Sequence, residues 1–387
     1  MNDWHAVVVG GGIGGLSAAV ALRRHGWRVT VLERAADPRE VGAGLTLMAN
    51  ALRGLDTLGL GPALRRGAHA EAPGGIRDRR GRWLSRVDAV RMTRQLGTTA
   101  LGVHRATLHR VLRDALPASS LWTGAEVERV ESGPHAAEVR FRGPDGPRTL
   151  AADLVVGADG LRSRLRAQLF PQLPAPVYAG STAWRAAIAF PEPVPAAITW
   201  GPAAEFGMVP LGNGQVYWFA ARTSPPGGHA PDELAAVREH FGGWHEPIPA
   251  LLAATPPGVV LRNDIHHLAT PLPSYVRGRV ALLGDAAHAM TPNLGQGAGQ
   301  AIEDAVVLGA ACSGGPHGLP AALAAYDEQR RPRSQAVARA SAQAGRYGQQ
   351  LRNPLALAVR GAALRLTPGW AVLRGMARHA DWRPPTG

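Results

Sequence analysis

The run Val7-Val8-Val9-Gly10-Gly11-Gly12-Ile13-Gly14-Gly15 constrains this chain more than any other stretch. An apolar strand, Ala6 to Val9, ends in Gly10, Gly12 and Gly15, spaced as G-x-G-x-x-G. The first glycine permits a tight turn. The second lets a pyrophosphate approach the backbone, and the third allows a helix to pack closely on the strand. The next residues, Leu16 to Arg24, place Leu16, Ala19, Val20 and Leu22 on one helical face. Free N–H groups and a positive dipole end at the start of that helix suit a phosphate. A second strand, Trp27 to Leu32, delivers Glu33, with Arg34 beside it. A carboxylate about 20 residues past the glycines can accept bonds from ribose hydroxyls. The unit predicts a bound adenine dinucleotide and does not say which.

Two later segments repeat the pattern of an apolar strand entering a glycine turn. One is Leu154-Val155-Val156-Gly157-Ala158-Asp159-Gly160-Leu161-Arg162-Ser163. The other is Val280-Ala281-Leu282-Leu283-Gly284-Asp285-Ala286-Ala287-His288. At 387 residues and 45% hydrophobic, the chain suits two interleaved domains or one large α/β body. The net charge of +13 rests on 42 basic residues, every one an arginine. Such a balance can mark a nucleic-acid or anion binder. There is no long arginine run, RNA-binding signature or zinc-ligand spacing, so neither nucleic acid nor a metal is expected. The single Cys312 excludes an intrachain disulfide and fits a reducing compartment. No signal peptide and no run of roughly 18 apolar residues is present, which predicts a cytoplasmic chain without a membrane span. Nothing specifies an oligomeric state.

A helix is expected near Ala49 to Leu58, then short arginine-rich strands over 75–95. Leu101 to His104 reads as extended and Arg105 to Leu116 as a helix. Strands follow near Ala125 to Glu131 and Ala137 to Arg142. Residues 176–222 alternate with period 2 and carry many aromatics, which predicts a separate antiparallel sheet. Helices are expected near Asp232 to Phe241, Pro247 to Ala254, Gly299 to Ala311 and Leu319 to Ala344. The tail, Asn353 to His379, reads as a packed amphipathic C-terminal helix.

In this order and spacing, the segments resemble the single-component FAD-dependent aromatic hydroxylases, the group with the p-hydroxybenzoate hydroxylase fold. The family's middle motif is matched by Asp159, Gly160, Ser163 and Arg166. Its third is matched by Gly284, Asp285, Ala286, Ala287, His288, Pro292, Gly295, Gln296 and Gly297. A short Val-x-Arg-x-x-Leu stretch is matched by Val103, Arg105 and Leu108. The resemblance runs to about Arg333. It implies an α/β fold: a Rossmann-like FAD-binding domain interleaved with an antiparallel-sheet substrate domain, and a helical C-terminal segment. The boundaries expected are 1–74, 98–175 and 275–330 for the FAD-binding domain, 75–97 and 176–274 for the substrate domain, and 331–387 for the C-terminal helices. One departure stands out. The type enzyme has an arginine before the Ala-Gly pair that flanks the flavin ring, where this chain has Gly42 before Ala43 and Gly44.

The cofactor contacts expected are Gly10, Gly12, Ile13, Gly14, Gly15, Glu33, Arg34, Gly44, Arg105, Asp159, Asp285, Pro292, Gly295, Gln296 and Gly297. Asp285 would bond a ribityl hydroxyl, cap a helix, or both. The helix after Pro292 to Gly299 would stabilise negative charge on reduced flavin. Ser163 and Arg166 would order their turn. The resemblance implies FAD as cofactor, with NADPH or NADH docking transiently as co-substrate. It implies hydroxylation, or epoxidation, of an electron-rich aromatic small molecule by O2 through a flavin C4a-hydroperoxide. Few side chains need be catalytic; Arg185, Tyr217 and His288 are weak candidates. Trp184, Trp200, Phe206 and Met208 are candidate substrate contacts, although for any single aromatic core packing is the better reading. Two other readings stay open: a flavin-dependent reductase or dehydrogenase of the same fold, and a non-catalytic small-molecule binding protein.

Overall fold

The structure is a computed structural model that describes residues 4–37, 44–66, 68–70, 74–87 and 89–385. Gly42 and Ala43 lie outside the described residues.

The three glycine-bearing segments become neighbours. A six-stranded sheet runs in the order Val276–Arg277, Val280–Leu282, Leu154–Gly157, His5–Val9, Arg28–Glu33, Leu121–Thr123. Its last five strands are mutually parallel, and only Val276–Arg277 opposes its neighbour. His5–Val9 is buried throughout. So is Leu154–Gly157. Such continuous apolar runs belong to strands covered on both faces. Helix Ile13–Arg24 covers one side and packs on the long-buried helix Gly297–Ala311; an added Cβ on Gly309 would lie 2.8 Å from Cβ of Ala21. Small residues at that crossing let the two backbones approach.

A seven-stranded sheet forms the second layer, in the order Leu261–His267, Val177–Ala189, Gln215–Thr223, Ala204–Pro210, Ala197–Gly201, Gly74–Asp78, Trp83–Val87. The strands of 176–222 pair antiparallel as expected; the added strand Gly74–Asp78, by contrast, runs parallel to Ala197–Gly201. Those strands are more than 100 residues apart, so no hairpin forces them to oppose. One face of this sheet packs on helices Glu233–Phe241 and Ile248–Ala254 through Phe206, Met208, Trp218, Phe241 and Leu251.

Other elements differ in detail. Only the first part of 75–95 forms strands; Ala89–Leu96 is a helix, because Met92 and Leu96, one turn apart, pack with Leu373. The helix expected from Gly299 begins at Gly297, and the next runs unbroken from Leu319 to Tyr347 with Pro332 inside. The tail forms two helices, Pro354–Leu366 and Gly369–Ala380, and much of their apolar surface is exposed. Cys312 is fully buried, and burial pushes its thiol up to about 12, which makes it inert. No described helix is long and apolar enough to cross a membrane, and the described residues contain no His/Cys/Asp/Glu group able to hold a metal ion.

Candidate functional site

The carboxyl ends of three adjacent parallel strands lead into the glycine turns. In open α/β sheets this edge is where ligands bind. Backbone bonds extend the ladder into the turns: Ala158 N–H donates to Val9 O at 2.8 Å, and Leu283 N–H to Gly157 O at 3.0 Å. Gly10 has φ +106, and a Cβ there would lie 2.4 Å from Ala158 O. A Cβ on Gly15 would lie 1.9 Å from Gly10 O, so the helix sits directly on the turn. Gly14 is a packing position, since its Cβ would meet Leu283 at 2.9 Å. Gly12 differs: a Cβ there meets nothing within 4 Å.

Two helices start at this edge without side-chain caps. Gly12 precedes Ile13–Arg24, and Gln296 precedes Gly297–Ala311; neither side chain caps its helix. Gly295, in the left-handed region, and Gly297 both face open space. Uncapped N–H groups with an open approach fit an anionic cofactor at one helix and a ring carrying negative charge at the other. Glu33 is fixed by Gly11 N–H at 2.7 Å and Ala35 N–H at 2.8 Å, beside the glycine turn. His109 Nε2 meets Gly11 O at 2.8 Å and braces the turn from helix Arg105–Asp114. No motif marked that histidine. Arg34 is exposed.

The second and third turns are tied together. Ser163 Oγ accepts from Arg166 N–H at 2.9 Å. The buried Arg166 guanidinium donates to Leu161 O at 2.7 Å and Ala286 O at 3.1 Å. Asp159 accepts from Leu165 N–H at 3.1 Å through one oxygen, while its other is buried without a protein partner. Asp285 is exposed within an otherwise buried stretch, 281–289. An orphaned oxygen on one carboxylate and an open second carboxylate fit a polyhydroxylated chain such as that of FAD.

His288 points away from this edge. Its Nε2 contacts Asp304 Oδ2 at 2.6 Å, and its ring is buried. Asp304 also accepts from Gly284 N–H at 2.9 Å and from Arg330 Nε at 2.7 Å. Burial alone would raise the Asp304 carboxyl, but facing His288 and Arg330 holds it at about 2. Next to it, buried Glu303 accepts from Arg330, from Arg333 Nε at 2.6 Å and from Asn50 Nδ2 at 2.7 Å. Asn50 Nδ2 also reaches Gln296 Oε1 at 2.8 Å, so the Gln296 side chain is turned into this cluster. Asn50 and its partner Glu303 are 253 positions apart in the chain, which hid the cluster from sequence reading.

The second sheet face presents a different set. Along Ala204–Pro210, Phe206 and Met208 enter the core against the helices. Trp184 goes the same way, donating to Glu233 at 2.7 Å. These three do not join the site. On the opposite face, strand register aligns Arg185 with Phe219 and Gly207, and Ala183 with Ala221, Glu205 and Trp200. Tyr217 lies two residues from Phe219 and touches strand Gly44–Leu47, part of a small third sheet with Leu101–His104, since a Cβ on Gly44 would come within 2.4 Å of the Tyr217 Cβ. Burial raises the Tyr217 hydroxyl, and the nearby Arg185, which bonds it, and Arg105 oppose that rise. Arg185 also donates to Asn263. A Cβ on Gly207 would overlap the Phe219 ring at 2.1 Å, so the glycine makes room for that ring. Glu205 is buried and accepts one hydrogen bond, from Trp200 Nε1 at 3.0 Å; burial pushes its carboxyl up to about 7. An acid inside an apolar strand was the available signal for Glu205, and the period-2 reading passed over it.

The family model described as "FAD binding domain" matches residues 3–341. The aurachin C monooxygenase/isomerase of Stigmatella aurantiaca is 42% identical over 382 residues, 98% of each chain. An FAD-dependent urate hydroxylase of Klebsiella pneumoniae is 34% identical over 332 residues, 84% of this chain and 85% of that one. The solved structure of Klebsiella pneumoniae HpxO complexed with FAD and uric acid superposes with a TM-score of 0.89 at 30% identity, over 97% of this chain and 96% of that one.

Proposed function

This chain belongs to the single-component FAD-dependent aromatic hydroxylases, and on that premise we propose that it uses NAD(P)H and O2 to hydroxylate or epoxidise a small, electron-rich aromatic molecule. The observation that carries the reading is the junction of three strand ends with two uncapped helix starts. When bound, FAD supplies the redox chemistry, taking reducing equivalents from NAD(P)H and delivering one atom of O2 to the substrate. The protein binds, orients and shields. Gly12, at the turn that Gly10 and Gly15 allow to form, and the start of Ile13–Arg24 would receive the pyrophosphate, and Glu33 a ribose. Asp159 and Asp285 receive hydroxyls of the linking chain. The start of Gly297–Ala311, with Pro292 and Gly295 before it, stabilises negative charge on the pyrimidine edge of the ring.

Arg185 and Tyr217 meet the polar groups of the substrate, with Phe219 beside them offering an apolar surface. Glu205, held by Trp200, is a second polar contact on the same face. It is neutral below about pH 7, where it donates, and ionised above, where it accepts. His288 is a positioning residue that fixes Asp304, and through it the amide of Gly284.

Purified protein should carry FAD absorbance and consume NAD(P)H faster with a suitable aromatic compound, and the product should take up oxygen from isotopically labelled O2. Peroxide and water as sole oxygen products with every electron-rich aromatic tried would overturn the reading. Anaerobic turnover would favour the reductase alternative, and protein that takes up no added FAD would favour the binding-protein alternative.

A further inference from the structure

From Gln329 to Ala380 the chain holds ten arginines and no Asp or Glu. Five of the arginines, Arg339, Arg346, Arg352, Arg374 and Arg378, are exposed and have no acidic partner among the described residues. The same region carries most of the large apolar side chains left in solvent. Tyr347 is 71% exposed, Leu355 75%, Val359 61%, Leu366 82% and Trp370 61%. Scattered exposed apolar residues need no explanation, but a contiguous set does.

These residues fall within one stretch of chain, and helix Pro354–Leu366 lies at its middle. On helix Pro354–Leu366, the exposed Leu355, Ala358, Val359, Ala362, Ala363 and Leu366 recur every three or four positions, so one whole face is apolar. The opposite face meets the protein: Gly361 is buried near Leu84, and Arg360 donates to Gly348 O at 2.6 Å and lies 4.8 Å over the Trp200 ring. Tyr347 closes the preceding helix and Trp370 opens the next. Their rings each carry an apolar body and a polar tip, which suits a boundary between hydrocarbon and water.

We propose that this face docks on an anionic lipid bilayer, with helix Pro354–Leu366 lying flat, its apolar stripe among the acyl chains and the exposed arginines on headgroup phosphates. An apolar helix face set in a stretch of chain rich in exposed arginines and lacking acids has the composition of an interfacial segment. Charge selects the occupant. A second copy of this chain would set arginines against arginines, whereas an anionic surface neutralises them.

Vesicle flotation tests this with the full-length flavoprotein. Vesicles of phosphatidylcholine mixed with phosphatidylglycerol should carry the protein up the gradient. Vesicles of phosphatidylcholine alone should carry much less, and high salt should release the protein. Arg352→Gln, Arg374→Gln and Arg378→Gln should each weaken binding by about fivefold. The double variant V359E/L366E should weaken it by roughly tenfold or more, while flavin content and NAD(P)H oxidation stay unchanged. Equal flotation of wild type and V359E/L366E, or no flotation on anionic vesicles, overturns the proposal. So does a dimer in sedimentation velocity that V359E/L366E converts to monomer without any vesicle binding.

Discussion

Replacing Arg330 by Met should destabilise the protein by about 3–5 kcal/mol near neutral pH. Arg330 is 1% exposed and serves two fully buried carboxylates, Glu303 and Asp304, and the side chain of Gln300 at 2.9 Å. Methionine fills similar volume but returns no charge. Glu303 keeps Arg333, and Asp304 keeps His288 and the Gly284 amide, so the loss is partial. A Coulomb estimate agrees: unit charges about 4 Å apart at an effective dielectric of about 20 interact by roughly 4 kcal/mol. With a urea slope of about 3 kcal/mol per molar, the midpoint should fall by about 1–1.7 M. The deficit has a definite pH dependence. In the wild type the Asp304 carboxyl titrates at about 2, below its ordinary 3.8. That stabilisation is complete above the unfolded value and is lost as pH falls through the folded one. Without Arg330 the folded value rises, the carboxylate takes up a proton sooner, and the deficit should narrow towards acid. The double variant E303Q/R330M removes one stranded charge and should recover part of the loss. Urea titrations at neutral and acid pH read all of this. A change below about 1 kcal/mol for R330M, or a deficit unaltered by E303Q, would refute the argument that paired charge holds this cluster together.

The remaining predictions concern the site. Gly15→Ala places a Cβ 1.9 Å from the Gly10 carbonyl, and no side-chain movement relieves a backbone clash; FAD binding measured by flavin fluorescence should weaken by at least about tenfold. Gly44→Ala drives a Cβ into Tyr217; FAD should be retained while kcat/KM for the aromatic substrate falls by up to about a hundredfold. In Glu205 the folded carboxyl titrates at about 7 against an ordinary 4.5, so the folded state binds the extra proton and stability declines as pH rises from 4.5 to 7. Glu205→Gln should abolish that decline and leave the variant more stable at pH 8 by about 3 kcal/mol, read from thermal or urea unfolding.

The strand ends and glycine turns were legible because their physics is local. A positive φ at Gly10, an apolar run and a helix start all sit within a dozen residues. The outward and inward faces of Ala204–Pro210 were not. Every residue of that strand is buried, so alternation shows which residues share a face but not which face meets the two helices. Phe206 and Met208 therefore read as equal to their neighbours, and Glu205 was passed over. The Asn50, Glu303 and Arg330 cluster is a product of tertiary packing and leaves no short-range signal. The parallel pairing of Ala197–Gly201 with Gly74–Asp78 is equally silent in a periodicity that reports strands without direction.

The strand order also dictates a schedule for synthesis. His5–Val9 gains its neighbour Leu154–Gly157 only after some 150 residues have been made, and Val280–Leu282 arrives after the whole seven-stranded sheet has intervened. Parallel pairings of such separation close slowly. The nascent N-terminal βαβ unit thus keeps an unpaired strand edge until Leu154–Gly157 is made, the kind of surface that chaperones shield. A chain halted before Val280 lacks the third turn, so cofactor capture waits until synthesis has passed that segment.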